Sequence, residues 1–473
     1  MEEKFDCIVI GGGSAGYAAA RTAHGHGLRV AVVDGAEELG GLCILRGCMP
    51  SKTLIESANR FYSMRRAEEF GLRAENLRVI PAEIRERKRR LIAEFASYRA
   101  GQLRDGRFPL FRGHARFLDA HRVSVETQHA GTVELEGSTF ILATGSRISI
   151  PGVPGLREAR PLTSDDVLDS DKLPRSIIVL GGGPIALELA WYHHALGCET
   201  KVIQRSPRLV RSCDADLAIA LEKSLRDSGM IIHTDTKLLE VNRKEDGTHS
   251  VDFLKGGEIL TVRADELLCA LGREPATEGL DLTKAGFSSG QPLTTNDEQA
   301  TSLPHIFAAG DACGPHEIVH IAIAQGETAA TNAAVLLGRI APEKRRKMDY
   351  RVKLFAMFSQ PELATVGLGE DEAGDREILA ATYPFDDHGK SMVMGETGGF
   401  VKLIADAKSG EILGGGVVGP HASELIHEIS VAISARLTAA EFAQIPHYHP
   451  TLSEIWTYPA EEISGRILER SET

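Results

Sequence analysis

Two cysteines stand close together in the run Gly40-Gly41-Leu42-Cys43-Ile44-Leu45-Arg46-Gly47-Cys48-Met49-Pro50-Ser51-Lys52. Two thiols at this spacing, at the start of a predicted helix, suit dithiol–disulfide exchange. The reactive form is the thiolate, and a helix N-terminus stabilises it. Two cysteines alone cannot complete a zinc site, and no neighbouring Cys or His supplies the other ligands. Cys7, Cys198, Cys213, Cys269 and Cys313 are scattered in apolar or mixed surroundings and read as small core residues. An odd total of seven cysteines, so dispersed, argues against an extracellular disulfide framework.

The elements that flank this pair occur twice. Phe5-Asp6-Cys7-Ile8-Val9-Ile10 is an apolar run ending in Gly11-Gly12-Gly13-Ser14-Ala15-Gly16; an alanine-rich helical stretch and the strand-like Leu28–Asp34 follow. The pattern returns as Ser176-Ile177-Ile178-Val179-Leu180, then Gly181-Gly182-Gly183-Pro184-Ile185-Ala186, a helix, and Thr200-Lys201-Val202-Ile203. Strand, glycine turn, helix, strand is the dinucleotide-binding βαβ unit. Gly11 and Gly181 permit the tight turn, and Gly13 and Gly183 let the backbone approach a pyrophosphate. Gly16 and Ala186 keep helix and strand close. A diphosphate then meets the N–H groups and positive dipole of the helix N-terminus.

The two units differ in the residue that meets the adenosine ribose. Asp34 ends the second strand of the first unit, where an acid hydrogen-bonds a ribose hydroxyl. In the second unit the strand ends Ile203-Gln204-Arg205, with Arg208 and Arg211 following. A missing acid and gained arginines favour a 2′-phosphate, through charge-assisted hydrogen bonds from Arg205 and Arg211. The first site is expected to take FAD and the second NADPH.

Composition bounds the rest. A chain of 473 residues is too long for one compact core, and a net charge of -13 does not suit a nucleic-acid binder. No apolar run is long enough to span a bilayer. The N-terminus Met1-Glu2-Glu3-Lys4 is acidic and leads into a strand, unlike a secretory signal. A soluble cytoplasmic protein is expected, with neither nucleic acid nor membrane as partner. The charged stretch Glu83–Arg90 reads as part of a long helix with a solvated face, since it lacks the interleaved aromatics of a nucleic-acid site. After about residue 345, strand-like pieces alternate with turns and precede apolar helices, as in a separate α+β domain.

These motifs together resemble the class I pyridine nucleotide–disulfide oxidoreductases, which include dihydrolipoamide dehydrogenase, glutathione reductase and mercuric reductase. The resemblance covers nearly the whole chain. Gly-Gly-x-Cys-x4-Cys-x-Pro-Ser-Lys matches the family's redox signature, Leu142-Ala143-Thr144-Gly145-Ser146 its ATG strand, and Leu271-Gly272-Arg273-Glu274-Pro275 its GRxP turn. Thr301–Asp311 is similar to its second flavin motif, and His447-Tyr448-His449-Pro450-Thr451-Leu452-Ser453-Glu454 to its C-terminal motif. The resemblance implies two Rossmann-like dinucleotide-binding domains plus a C-terminal α+β dimerisation domain. The expected boundaries are FAD binding in 1–150 and 271–345, NAD(P) binding in 151–270 and dimerisation in 346–473. It adds Thr144, Gly145, Gly310 and Asp311 to the flavin site, Asp311 on the ribityl chain, and Gly272 to the cofactor-binding residues.

The roles it implies are chemically sensible. Cys48 would face the flavin as the charge-transfer thiolate, and Cys43 would meet the substrate. Lys52, paired with Glu188, would bring positive charge to the flavin's reactive nitrogen. His449, oriented by Glu454, would be the general acid–base, reaching across a homodimer to the other subunit's disulfide. His447, His193 and His194 have no such support. His193-His194 reads as a surface pair of a helix and not a metal site, because adjacent helical residues diverge by about 100°; no metal is expected.

Within the family, the C-terminal half is most similar to dihydrolipoamide dehydrogenases, which normally carry an acid where Gln204 stands. Arg205 and Arg211 instead match glutathione reductases in position, but Glu327 replaces an arginine those enzymes use for their anionic substrate. Pro184 replaces the tyrosine that commonly gates the nicotinamide pocket. The tail lacks the cysteine pair of mercuric reductases. The expected activity is electron transfer between NADPH and a small or lipoyl-type disulfide, a lipoyl domain included. The alternatives are an NAD-linked dihydrolipoyl dehydrogenase and a catalytically vestigial flavoprotein acting as a binding module.

Overall fold

The computed structural model describes residues 3–127 and 131–471, so Met1, Glu2, Glu472 and Thr473 of the termini considered above lie outside the described residues. The chain divides into two compact units. One comprises Met1–Ser51, Glu86–Ser149 and Arg273–Asp349; the other comprises Lys52–Arg85, Ile150–Gly272 and Tyr350–Thr473.

The first unit is built on a parallel sheet. Strand Glu3–Ile10 lies between Val30–Asp34 and the far end of Gly131–Leu142, with Ile10 opposite both Val33 and Leu142. Leu110–Phe117 extends one edge and Ile306–Ala308 the other. The near end of Gly131–Leu142 bends away into an antiparallel ladder with Arg122–Thr127. Cys7, Ile8, Val9, Val32, Phe140 and Ile141 are buried, as a parallel sheet covered on both faces requires. Helix Ser14–Gly25 packs on helix Val319–Leu336 so closely that a Cβ at Gly326 would fall 2.3 Å from the Ala15 carbonyl oxygen.

The second unit contains the other parallel sheet, in the order Glu266–Cys269, Ser176–Leu180, Glu199–Ile203 and Ile231–His233. An antiparallel ladder of Lys237–Arg243, His249–Lys255 and Glu258–Ala264 follows in sequence. The C-terminal part is an antiparallel sheet ordered Leu354–Met357, Glu362–Gly367, Ile412–Gly419, Phe400–Asp406 and Ile378–Pro384. Helices Ala422–Ala435 and Thr457–Ser471 enclose a core with Phe385, Trp456 and Phe442. The α/β fold with a C-terminal α+β domain is thus the one expected.

Lys402 on strand Phe400–Asp406 is 1% exposed, yet it carries a charge. Its Nζ lies 2.9 Å from Asp214 and 3.0 Å from Asp216, and also pairs with Glu370. Burial alone would lower its pKa; the three carboxylates outweigh that and raise it. These acids sit at metal-binding distance from one another, but the ammonium occupies the position a cation would take.

The structure corrects the reading of two local features. His193 is 3% exposed and not a surface residue. Helix Pro184–Ala195 is buried on almost every side, so it has no polar face on which a histidine pair could lie. His193 Nδ1 meets the Leu189 carbonyl at 2.7 Å, and His194 Nε2 meets Ser228 O at 3.0 Å. In helix Pro81–Leu103, Glu86, Arg87, Arg89 and Arg90 are exposed as expected, but Lys88 is buried.

Burial holds the His193 pKa down at about 4, against 6.5 for the ordinary side chain. Between those values the unfolded chain binds the proton that the folded one refuses, so stability falls as pH falls from 6.5 toward 4. Denaturation at neutral and mildly acid pH is expected to show this slope, and His193→Gln to flatten it by on the order of 3 kcal/mol. An unchanged slope would refute the assignment.

Candidate active site

Cys43 lies in the short helix Gly41–Leu45, and Cys48 opens helix Cys48–Arg65. Both are half-buried. Glycines fix this arrangement. Gly41 has φ +74°, and a Cβ there would fall 2.5 Å from the Gly13 Cα, so the dithiol segment rests directly on the first glycine turn. A Cβ at Gly47 would lie 3.0 Å from the Leu42 carbonyl oxygen and 3.2 Å from the Cys43 Cα. Without side chains at these positions, the turn between the cysteines folds back on itself. The other cysteines contrast with the pair. Burial raises Cys7, Cys198 and Cys213 to about 12 and Cys313 to about 11, which keeps them protonated and unreactive.

Around the first turn, a Cβ at Gly16 would fall 1.7 Å from the Gly11 carbonyl oxygen, and one at Gly11 2.2 Å from the Ala143 oxygen. Gly13 caps helix Ser14–Gly25 without a side-chain hydrogen bond, which leaves N–H groups for an anion. Asp34 is buried and accepts from the Gly12 and Ala36 N–H groups, at 2.8 and 2.9 Å. Thr144 Oγ1 is buried with no hydrogen-bond partner, and Gly145 has φ +73°. Gly310 N donates to Gln325 Oε1 at 2.7 Å. Asp311 accepts from Ser146 Oγ at 2.7 Å, while Arg273 donates to that same hydroxyl at 2.8 Å and to the Ser146 carbonyl at 2.9 Å. The ATG strand, the GRxP turn and the second flavin motif therefore form one hydrogen-bonded group. Sequence reasoning named Asp311 but missed Ser146, Arg273 and Gln325. It also missed Arg99, whose guanidinium lies over the Tyr17 ring with buried Nε and Nη1 unsatisfied.

The second glycine turn repeats the geometry. A Cβ at Gly181 would fall 2.3 Å from the Ala270 oxygen and 3.4 Å from the Ala186 Cβ, so only glycine fits this turn. Gly183 caps helix Pro184–Ala195 and has open space where a Cβ would stand. Gln204 packs on Gly182. Arg208 pairs with Asp371 at 3.0 Å. Arg205 and Arg211 are exposed and make no hydrogen bond or ion pair to any described residue. Gly272 has φ +130° and open space at its Cβ position. Glu327 pairs with Arg21 and, at 3.7 Å, with Arg346.

Lys52 stands four residues after Cys48 and so on the same face of their helix. Its Nζ donates to both Glu188 oxygens, at 2.9 and 2.7 Å, and lies 4.7 Å from the Phe358 ring centroid. Glu188 is 5% exposed and also accepts the Phe358 N–H at 3.1 Å. His449 Nδ1 lies 3.0 Å from Glu454 Oε2. The His449 side chain is 81% exposed, whereas that of Glu454 is 12% exposed, so a buried acid holds an accessible imidazole. His447 is engaged elsewhere, with Nε2 2.6 Å from Glu428. The structure thus joins Lys52 to Glu188 and His449 to Glu454, as the sequence implied.

Comparison with known proteins agrees with this geometry. Residues 5–326 match the family described as pyridine nucleotide-disulphide oxidoreductase, and residues 355–460 match that family's dimerisation domain. A dihydrolipoyl dehydrogenase of Bacillus subtilis is 32% identical over 96% of this chain and 97% of its own. Dihydrolipoyl dehydrogenase 3 of Pseudomonas aeruginosa is 33% identical over 99% of this chain and 100% of its own. The crystal structure of LpdA from Mycobacterium tuberculosis superposes with a TM-score of 0.85 at 29% identity, covering 97% of this chain and 99% of that one. The protein is an NAD(P)H:disulfide flavoprotein oxidoreductase. It belongs to the pyridine nucleotide-disulphide oxidoreductase family, whose cofactors are FAD and a pyridine nucleotide.

The residues around the first turn fit FAD. A helix N-terminus with no side-chain cap at Gly13 suits a diphosphate, and the partnerless Thr144 hydroxyl and Arg99 nitrogens suit further polar atoms of the cofactor. Gly41→Ala would place a methyl against Gly13 in a left-handed backbone conformation. That variant is expected to bind flavin at least ~tenfold more weakly, from overpacking alone. The check is flavin-to-protein absorbance after dialysis, and wild-type retention would count against the packing argument.

Proposed function

We propose that this protein is an NADPH-preferring disulfide reductase of dihydrolipoyl-dehydrogenase type, working as a cytoplasmic homodimer on a small or lipoyl-type disulfide. The nucleotide preference is carried by one observation. Gln204 stands where an acid would repel a 2′-phosphate, and Arg205 and Arg211 beside it are exposed without a protein partner. Full-length relatives named dihydrolipoyl dehydrogenase support the substrate class, and the dimerisation domain supports the homodimer. No helix among the described residues is long and apolar enough to cross a membrane.

The chemistry follows from the residues. Cys43, deprotonated by the partner subunit's His449, attacks one sulfur of the substrate. The substrate S–S bond breaks, a mixed disulfide forms on Cys43, and the departing thiolate takes the proton back from the imidazolium. Cys48 then attacks the Cys43 sulfur as thiolate. The Cys43–Cys48 disulfide closes, and the second substrate thiolate leaves, taking from the imidazolium the proton that Cys48 had passed to it. Glu454 holds the His449 proton on Nδ1, so Nε2 is the working nitrogen. Bound flavin supplies the two-electron chemistry that connects the pyridine nucleotide with this cysteine pair. Lys52, paired with Glu188, would bring positive charge to the flavin's reactive nitrogen, and Gly11, Gly13, Gly16, Thr144, Gly145, Gly310 and Asp311 would hold the cofactor, with Asp34 at its ribose. Gly181, Gly183, Ala186 and Gly272 would hold the nucleotide.

Two outcomes are expected. On anaerobic two-electron reduction, wild type develops a long-wavelength absorbance that Cys43→Ser keeps and Cys48→Ser lacks, and neither variant turns over a disulfide. Wild-type disulfide turnover by Cys48→Ser would sink the mechanism. In steady-state kinetics, NADPH is expected to exceed NADH in kcat/KM by at least ~tenfold at low salt, given charge-assisted bonds to an exposed phosphate. Arg205→Ala/Arg211→Ala should abolish that difference. Equal use of both nucleotides by wild type would favour the NAD-linked dihydrolipoyl dehydrogenase instead.

A further inference from the structure

Glu454 has two oxygens and lies between two histidines. Oε2 faces His449 Nδ1 at 3.0 Å, and Oε1 lies 3.5 Å from Nε2 of His388. His388 precedes helix Gly389–Met394, and its side chain is 1% exposed. Its Nδ1 is 2.9 Å from the hydroxyl of Ser391, which is itself fully buried. At the present separation the buried Nε2 has no hydrogen-bond partner. An unpaired buried donor is costly, and Glu454 Oε1, 3.5 Å away, is an acceptor that faces it.

The protonation state is consistent with a donor. Burial holds the His388 pKa below the usual value; Glu454 opposes the shift and His449 adds to it. His388 is therefore neutral at neutral pH, with one ring proton. Ser391 Oγ can donate to Nδ1, which leaves that proton on Nε2, directed at Glu454.

We infer that His388 is a positioning residue for the disulfide chemistry: its Nε2–H anchors Glu454 Oε1, so that Oε2 is held for His449 Nδ1. The inference rests on the reading of His449 as the acid–base group. The need for an anchor is physical. The terminal torsion of a glutamate is broad and nearly two-fold, and His449 is exposed, so little else restrains its ring. With Oε1 fixed, the carboxylate plane and the His449 tautomer are fixed with it. An acid–base group loses rate when its orientation loosens, even by a small displacement.

The test uses the flavin-loaded full-length protein with His388→Leu and His388→Gln, each in wild type and in Glu454→Gln. His388→Leu should lower kcat for disulfide reduction by at least ~tenfold, and His388→Gln, which keeps a donor near Nε2, should return it to within about threefold of wild type. Bleaching of bound flavin by the nucleotide, which does not use His449, should keep its rate in both variants. Because His388 acts through Glu454, adding His388→Leu to Glu454→Gln should change kcat by less than about twofold. Wild-type kcat in His388→Leu, no rescue by Gln, equally slowed bleaching, or a full second loss on Glu454→Gln would each overturn the inference. His449→Gln separates the two readings. If it retains turnover, the acid–base assignment itself fails. If it is inactive while His388→Leu is not, only the positioning role fails.

Discussion

Backbone against backbone, without intervening side chains, is the contact on which this molecule's chemistry depends. Gly13 belongs to the dinucleotide turn and Gly41 to the dithiol segment, and a single Cβ on Gly41 would fall 2.5 Å from the Gly13 Cα. The same turn is closed by Gly16 on Gly11 and by Gly11 on Ala143. Backbone groups at such distances offer their N–H donors to a ligand with no side chain in the way. The segment that carries the thiols is thereby seated on the first glycine turn. Gly47 then folds the short connection so that Cys43 and the start of the Cys48 helix share that location.

The candidate functional side chains are held by other polar residues, buried or half-buried. Lys52 has both Glu188 oxygens, and Glu188 is fixed in turn by the Phe358 N–H. Asp311 is oriented by Ser146, and Ser146 by Arg273. His449 has Glu454, with His388 on the other oxygen. A charge in a low-dielectric setting is expensive when alone and directional when paired. Each pair therefore supplies orientation as well as charge balance.

The loop after strand Glu199–Ile203 is held by polar contacts in the same way. Arg208 is tied to Asp371, Gly369 packs on Asp214, and Asp214 joins Asp216 and Glu370 around the buried Lys402. Lys402 and Asp214 are buried while Asp216 and Glu370 reach solvent, so the cluster ties the loop end at Asp214 to the strand that carries Lys402. Arg205 and Arg211, by contrast, have no described partner. The loop is thus held at Arg208 and Asp214, while the guanidinium groups of Arg205 and Arg211 stay exposed to solvent.

By itself the sequence determined the features whose geometry is local. The two glycine turns, the Cys43–Cys48 spacing and the placement of Lys52 one helical turn after Cys48 follow from short-range rules of φ, rise and period. The His449–Glu454 pair was legible only through the resemblance of His447–Glu454 to the family's C-terminal motif. Tertiary structure alone decided the rest. Nothing in the strand Phe400–Asp406 marks Lys402 as buried among acids from other segments. His388 and Glu454 meet only because helix Gly389–Met394 and the C-terminal motif pack together. His193 was misread because a histidine pair suggests a polar face, whereas helix Pro184–Ala195 is enclosed almost all round. Contacts between distant segments depend on how faces pack, and packing is set by the whole core, so no local pattern of residue types records which polar groups will be brought together.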